Sequence, residues 1–204
     1  MKIICIGRNY AEHAKEMNAP VPTIEPVIFL KPETALLQKN LPFYYPEFSK
    51  EIHHEVELVL LISKMGRHIE PMFANRYYDE IGIGIDFTAR DIQAKCKEKG
   101  LPWETAKAFD HSAPIGKFLP KAKFPLMDDI HFHLDINRKE VQKGNTKDLL
   151  FTFDNLIAYA SKFFTLKKGD LIFTGTPEGV GPVKIGDRLE AYIGQEKLLD
   201  FEIK

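Results

Sequence analysis

His53-His54-Glu55-Val56-Glu57 runs directly into Leu58-Val59-Leu60-Leu61-Ile62. The second half is aliphatic, partly β-branched, short, and closed by Ser63-Lys64-Met65-Gly66, the pattern of a buried strand. Side chains alternate along a strand, so Glu55 and Glu57 share a face and lie about 6–7 Å apart on it. Val59 and Leu61 continue that face, which turns it toward the interior. Two carboxylates facing an interior are strongly destabilising without a partner. A divalent cation is the simplest partner for two anions. His53 and His54 point to opposite sides, so only His53 could join the glutamates.

Composition narrows the class around this stretch. A chain of 204 residues can hold one domain that buries roughly 70% of its unfolded surface. Its 28 basic and 29 acidic residues leave a net charge of -1, which removes the basic footprint of a nucleic-acid binder. Hydrophobic residues at 44% and charged residues at 28% exclude disordered and fibrous classes. The apolar segment at residues 3–6 is too short for a signal peptide, and no stretch approaches a membrane span. Cys5 and Cys96 have no paired-cysteine spacing, so they read as free thiols in a reducing cytosol. A cytoplasmic protein with no membrane or nucleic-acid partner is the expectation.

Along the chain, strands are expected at residues 2–6, 27–30, 81–87, 171–174, 188–193 and 197–203, with a hairpin over 131–143. Short helices are expected at 11–17, ended by Asn18-Ala19-Pro20-Val21-Pro22, and around 72–76. Another should run over 89–98 and stop at Lys99-Gly100, with Thr88 and Asp91 as a capping arrangement. The apolar spacing of Leu156, Ile157, Ala160 and Phe163 or Phe164 marks an amphipathic helix. Residues 33–50 read as loop with an edge strand, and 101–116 as loop-rich. The glycines of Ile81-Gly82-Ile83-Gly84-Ile85 predict close backbone approach on one side. Many strands with few helices make an α+β, β-rich, mixed and largely antiparallel fold.

A third acid, Asp86, ends the Ile/Gly strand where β gives way to α, either as a turn residue or as a ligand. Three carboxylates with open water positions suit Mg²⁺ or Mn²⁺, whereas Ca²⁺ takes more oxygens. Arg90, Asp91 and Gln93 open the following helix, where an anion is favoured; the alternative is an ordinary solvated first turn. Lys107 stands among small and apolar neighbours. His13 and Glu16 are three apart on the first helix and share a face, as a surface pair or as an oriented general base. Gly82-Ile83-Gly84 lacks the third glycine of a dinucleotide fingerprint, and Gly175–Gly181 lacks the ending of a P-loop.

Taken together, these stretches resemble the fumarylacetoacetate hydrolase superfamily, in its short acylpyruvase branch. The resemblance is carried by Gly7-Arg8-Asn9-Tyr10-Ala11-Glu12-His13, Phe29-Leu30-Lys31-Pro32 and His53-His54-Glu55-Val56-Glu57. It continues in Asp86-Phe87-Thr88-Ala89-Arg90-Asp91-Ile92-Gln93, Gly100-Leu101-Pro102-Trp103, Ala106-Lys107 and Gly175-Thr176-Pro177-Glu178-Gly179-Val180-Gly181-Pro182, in family order. It implies a rolled, barrel-like mixed sheet in a single catalytic domain over residues 1–204, a homodimer, and bound Mg²⁺ or Mn²⁺. It implies Glu55, Glu57 and Asp86 as metal ligands, with Lys107 beside the metal. Arg8, Lys31, Arg90, Gln93 and Thr176 would contact a small 2-oxo acid substrate. His13 and Glu16 would activate water on a mobile lid at about residues 8–24. Asn137-Arg138-Lys139 departs from the Asn-Gly common in relatives, and Asp110-His111 falls in a variable segment, which leaves the acyl pocket open.

The implied activity is metal-dependent hydrolysis of the C–C bond of acylpyruvates such as fumarylpyruvate or acetylpyruvate, with oxaloacetate decarboxylation beside it. One alternative is an isomerase or decarboxylase of 2-hydroxyhepta-2,4-diene-1,7-dioate. Another is a non-catalytic, metal-stabilised binding protein, which would need the acids but not Lys107, His13 or Glu16.

Overall fold

The computed structural model describes residues 1–17 and 20–204. Val56–Ile62 is the middle strand of a seven-stranded mixed sheet. Leu171–Phe173 and Tyr78–Ile85 flank it, both antiparallel. Beyond Leu171–Phe173 lie Ile3–Gly7, in parallel pairing, and then Val27–Lys31. Beyond Tyr78–Ile85 lie Ala113–Pro120 and the two-residue edge strand Leu36–Leu37. An antiparallel sheet in the order Lys139–Asn145, His131–Ile136, Arg188–Ile193, Glu196–Glu202 packs across this one. A small third sheet joins Gly181–Pro182, Ile52–His54 and Thr88–Ala89. The result is a curled, sheet-rich fold with few short helices, as the residue patterns imply. Among the described residues, no helix is long and apolar enough to cross a membrane.

Alternation divides the central strand as expected. Val56, Leu58, Leu60 and Ile62 face the main core with Ile81, Ile83, Leu134, Leu156 and Phe201. Glu57 lies on the other face with Val59, where Ile3, Cys5, Leu171 and Phe173 form a second apolar cluster. The glycines make room there: a Cβ at Gly84 would stand 2.8 Å from the Phe173 ring, and one at Gly82 the same distance from Phe118. Each such ring is worth about 1.5–3 kcal/mol when fully buried.

Three local expectations change. Residues 101–116 are loop over 101–103 and 108–112 only, because Glu104–Lys107 is a helical turn and Ala113–Pro120 pairs along Tyr78–Ile85. Two prolines and a glycine hide that strand from periodicity. The helix Arg90–Lys99 has no side-chain cap; Asp91 accepts from Ser49 Oγ at 2.7 Å and Lys50 N at 3.1 Å, while Thr88 turns inward. The hairpin tip keeps a two-residue turn with both residues left-handed, Asn137 at φ 53° and Arg138 at φ 67°. The first helix closes at Glu16; the ending read at Asn18-Ala19 lies outside the described residues.

Candidate functional site

Two chain segments leave the large sheet side by side and enter the small one. One crosses at Glu55, between Ile52–His54 and Val56–Ile62; the other crosses at Asp86-Phe87, between Tyr78–Ile85 and Thr88–Ala89. The Asp86 N–H donates to the Glu55 carbonyl at 2.8 Å and pins the two crossings together. Glu55, Glu57 and Asp86 are all buried, and one carboxylate oxygen of each lies within 4.8 Å of the others.

Cations converge on this cluster. Lys107 Nζ lies 2.7 Å from both Glu55 Oε2 and Asp86 Oδ2. Arg90 Nη2 reaches Glu55 Oε1 at 2.7 Å, and Thr88 Oγ1 donates to the same oxygen at 3.1 Å. Burial alone would raise the Glu55 pKa, but Lys107 and Arg90 outweigh it and hold the carboxyl well below the usual range. Burial would likewise lower the Lys107 pKa, and Asp86 and Glu55 carry it above that of an ordinary lysine. The ammonium therefore stays charged in a buried place.

Lys31 is placed differently from the expected substrate contact. Its side chain is 0% exposed and sits behind Asp86, with Nζ 2.8 Å from Oδ1. That approach is off the hydrogen-bonding direction, so it is a charge contact. Its hydrogen bonds go to Ser112 Oγ at 2.9 Å, Ser112 O at 3.2 Å and the Lys107 carbonyl. Lys31 thus fixes the turn that carries Lys107 and does not line the cavity. Its separation from Ser112 by 81 residues leaves no trace in local spacing.

Among the described residues Glu57 has no cation partner. It accepts one hydrogen bond, from Gly175 N–H at 2.7 Å. Burial first, then the charges of Asp86 and Glu55, push its carboxyl well above the usual range. An unbalanced buried carboxylate with two others within reach is an all-oxygen donor set that fits a hard divalent cation. The histidines do not add to it. His53 turns outward to Glu51 Oε1 at 3.0 Å, and His54 Nδ1 meets Gln142 Oε1 at 2.8 Å. The strand breaks at Glu55, so the alternation that aligned His53 with the glutamates does not carry through. Burial lowers both histidine pKa values.

The three acids open on a cavity of 290 Å³ whose walls include Arg8, His13, Arg90, Gln93, Lys107 and Thr176. His13 is buried on the helix Ala11–Glu16, with Nδ1 3.3 Å from Glu16 Oε2. Glu16 Oε1 accepts from Gly179 N–H at 3.1 Å, which ties that helix to the glycine-rich loop. The same loop is held from below: Gly175 sits at φ 102°, where a Cβ would come within 2.6 Å of Asn9. Asn9 is buried and donates to the Thr174 carbonyl at 2.8 Å. Arg90 Nη1 donates to Gln93 Oε1 at 2.8 Å, which aligns two of the wall residues.

Sequence reasoning missed Gln142. Its Oε1 accepts from Val56 N–H at 3.0 Å, and its Nε2 donates to Thr176 Oγ1 at 2.9 Å and Pro177 O at 3.0 Å. The Thr176 hydroxyl accepts there and donates to no acceptor among the described residues. Gln142 lies in the strand Lys139–Asn145, and nothing in its neighbourhood in sequence singles it out. Phe29 and Trp103, which lie in quoted motifs, also line the cavity.

The family model described as fumarylacetoacetate (FAA) hydrolase C-terminal matches residues 2–202. The mitochondrial oxaloacetate tautomerase of Mus musculus is 44% identical over 202 residues, covering 99% of this chain and 91% of its own. The mitochondrial oxaloacetate decarboxylase of Dictyostelium discoideum is 43% identical over 204 residues, covering 99% and 93%. A crystal structure of fumarylpyruvate hydrolase from Pseudomonas aeruginosa, in complex with Mn²⁺ and pyruvate, superposes with a TM-score of 0.93 at 36% identity, covering 100% of this chain and 89% of that one. Matched from end to end in sequence and in fold, the chain belongs to the fumarylacetoacetate hydrolase family.

Proposed function

We propose that this chain is a divalent-metal-dependent hydrolase of short acylpyruvates, fumarylpyruvate- or acetylpyruvate-like, and that it also decarboxylates oxaloacetate. In this reading residues 1–204 act as one catalytic domain with a lid at about residues 8–24, working in the cytoplasm as a homodimer. The observation that carries it is Lys107: a buried ammonium between Glu55 and Asp86, in a cavity that His13, paired with Glu16, also lines.

Glu55, Glu57 and Asp86 would hold Mg²⁺ or Mn²⁺. When bound, the cation supplies Lewis-acid polarisation of the 2-oxo acid end. Arg90, Gln93, Thr176 and Arg8 orient the substrate in the cavity. Glu16 takes the Nδ1 proton of His13 as a hydrogen bond, which leaves Nε2 as the basic nitrogen. His13 removes a proton from water as the oxygen adds to the distal carbonyl. The bond between that carbonyl carbon and C3 then breaks, giving a carboxylic acid and the pyruvate enolate. Lys107 stabilises the developing enolate charge, and a proton returns to C3 to give pyruvate. Oxaloacetate loses CO₂ to the same enolate and needs no attacking water.

A second reading, oxaloacetate keto–enol tautomerisation, is favoured by the name of the mouse relative at 44% identity. It would use the same enolate-stabilising ammonium, with proton transfer at C3 and no bond cleavage. The deciding experiment is an assay of the enzyme reconstituted with Mg²⁺ or Mn²⁺. Acetylpyruvate, longer acylpyruvates, oxaloacetate (tautomerisation and decarboxylation separately) and a dienedioate are each offered. Acylpyruvate cleavage is expected, lost on chelation and regained on adding metal. Tautomerisation without any cleavage would replace the first reading by the second, and no turnover of any of them would sink both.

A further inference from the structure

The helix Arg90–Lys99 turns a third residue toward the cavity. Arg90, Gln93 and Lys97 are spaced i, i+3, i+7, one stripe of a helix, and all three line the cavity wall. Lys97 therefore stands about 10 Å along the axis from Arg90, at the exposed rim.

Arg8 lies on the same cavity wall system, at the end of the strand Ile3–Gly7. Its φ of 60° is a left-handed backbone that non-glycine residues adopt at a cost, a feature that gathers at ligand sites. Among the described residues its guanidinium makes one long hydrogen bond, from Nη1 to the Pro20 carbonyl at 3.4 Å.

Charge accounting separates these two from the other cations. Lys107 and Arg90 are matched by Glu55 and Asp86. Arg8 and Lys97 reach no carboxylate among the described residues. Partial desolvation against the cavity wall first, then the positive charges of Arg90 and Arg8, hold the Lys97 pKa below that of an ordinary lysine. Like charges crowded at a cavity mouth are relieved by an anion placed between them.

We propose that Arg8 and Lys97 form a subsite for a second carboxylate, so that the site selects dianionic over monoanionic short 2-oxo acids. This rests on the reading that the cavity takes 2-oxo acids, and adds that the far end of the preferred ligand is charged. A ligand whose 2-oxo acid end sat on the cation that Glu55, Glu57 and Asp86 would hold would turn its tail toward these two wall residues. Acetylpyruvate, with a neutral tail, forgoes the contact.

The test is calorimetric titration of the full chain in buffer containing Mg²⁺, with 2-oxoglutarate and 2-oxopentanoate. These probes share a five-carbon chain and a 2-oxo acid end and differ in the distal carboxylate. Wild type is expected to bind 2-oxoglutarate at least about tenfold more tightly, the scale of one charge-assisted hydrogen bond. Lys97→Gln should erase most of that preference and leave 2-oxopentanoate within about twofold of its wild-type affinity, and Lys97→Arg should restore it. Arg8→Gln should act in the same direction. Equal wild-type binding of both probes, an equal loss of both in Lys97→Gln, or an unchanged preference there would overturn the subsite. Binding of neither probe by wild type would sink the 2-oxo acid reading itself and the subsite with it, a result distinct from equal binding.

Discussion

One ammonium and one backbone hydrogen bond tie Glu55 to Asp86: Lys107 Nζ is 2.7 Å from a carboxylate oxygen of each, and the Asp86 N–H donates to the Glu55 carbonyl at 2.8 Å. The lysine holds together two acids that repel each other across a buried space. Removing one partner of such a set leaves uncompensated charge, which costs more than the pair itself contributes.

Lys107→Met should therefore destabilise the metal-free protein by about 3–5 kcal/mol. Added Mg²⁺ or Mn²⁺ should recover part of the loss, since a cation can replace the ammonium between the carboxylates. Urea melts with and without metal check this. A loss below about 1 kcal/mol, within the range of a surface ion pair, would contradict the buried geometry.

Glu57 makes the opposite prediction. Its folded pKa lies above the unfolded value, so its stabilising share is fully present below the unfolded pKa and is lost as pH rises through the folded one. At neutral pH the metal-free wild type carries that penalty. Glu57→Gln, a neutral isostere that can still accept from Gly175 N–H, should melt higher than wild type without metal, by about 2–4 °C for each kcal/mol relieved. The same variant, like Glu57→Ala, should lose cation binding and activity. A lower metal-free melting temperature for Glu57→Gln would show that the carboxylate is already compensated.

On the proposed mechanism His13 should separate two reactions that share an enolate. His13→Ala should lower acylpyruvate hydrolysis by about 10²–10⁴-fold, the usual contribution of a positioned base. Oxaloacetate decarboxylation should fall far less, because no water attacks. Steady-state rates on both substrates with the same metal-loaded preparation decide it, and equal losses would count against separate roles.

Gln142 should act through Thr176, to whose hydroxyl its amide donates at 2.9 Å. Gln142→Glu keeps an acceptor for Val56 N–H and removes the amide donor to Thr176 Oγ1. The threonine hydrogen should then turn to the introduced carboxylate and away from the ligand. The expected signature is a KM raised about three- to tenfold with kcat nearly unchanged, since the lost contact is to bound substrate rather than to the transition state alone. A fall in kcat at constant KM would place Gln142 elsewhere in the reaction.

Local periodicity determined much of this protein. The alternation of Val56–Ile62 marked a buried strand with an acidic face, and the Ile/Gly repeat marked the neighbour whose missing side chains admit Phe118 and Phe173. The helix Arg90–Lys99 was legible to within a residue at each end, and its i, i+3, i+7 stripe was already written in the chain. Those signals come from one segment reading its own backbone. Tertiary structure decided which charge meets which. Lys31 lies 81 residues from Ser112, Gln142 lies 88 from His54, and Gly175 lies 118 from Glu57. It also turned His53 out of the acid cluster, because the strand breaks at Glu55 where two sheets meet. Two acids beside a buried strand could be found by counting; their partners come from segments that only the closed sheet brings within hydrogen-bond range.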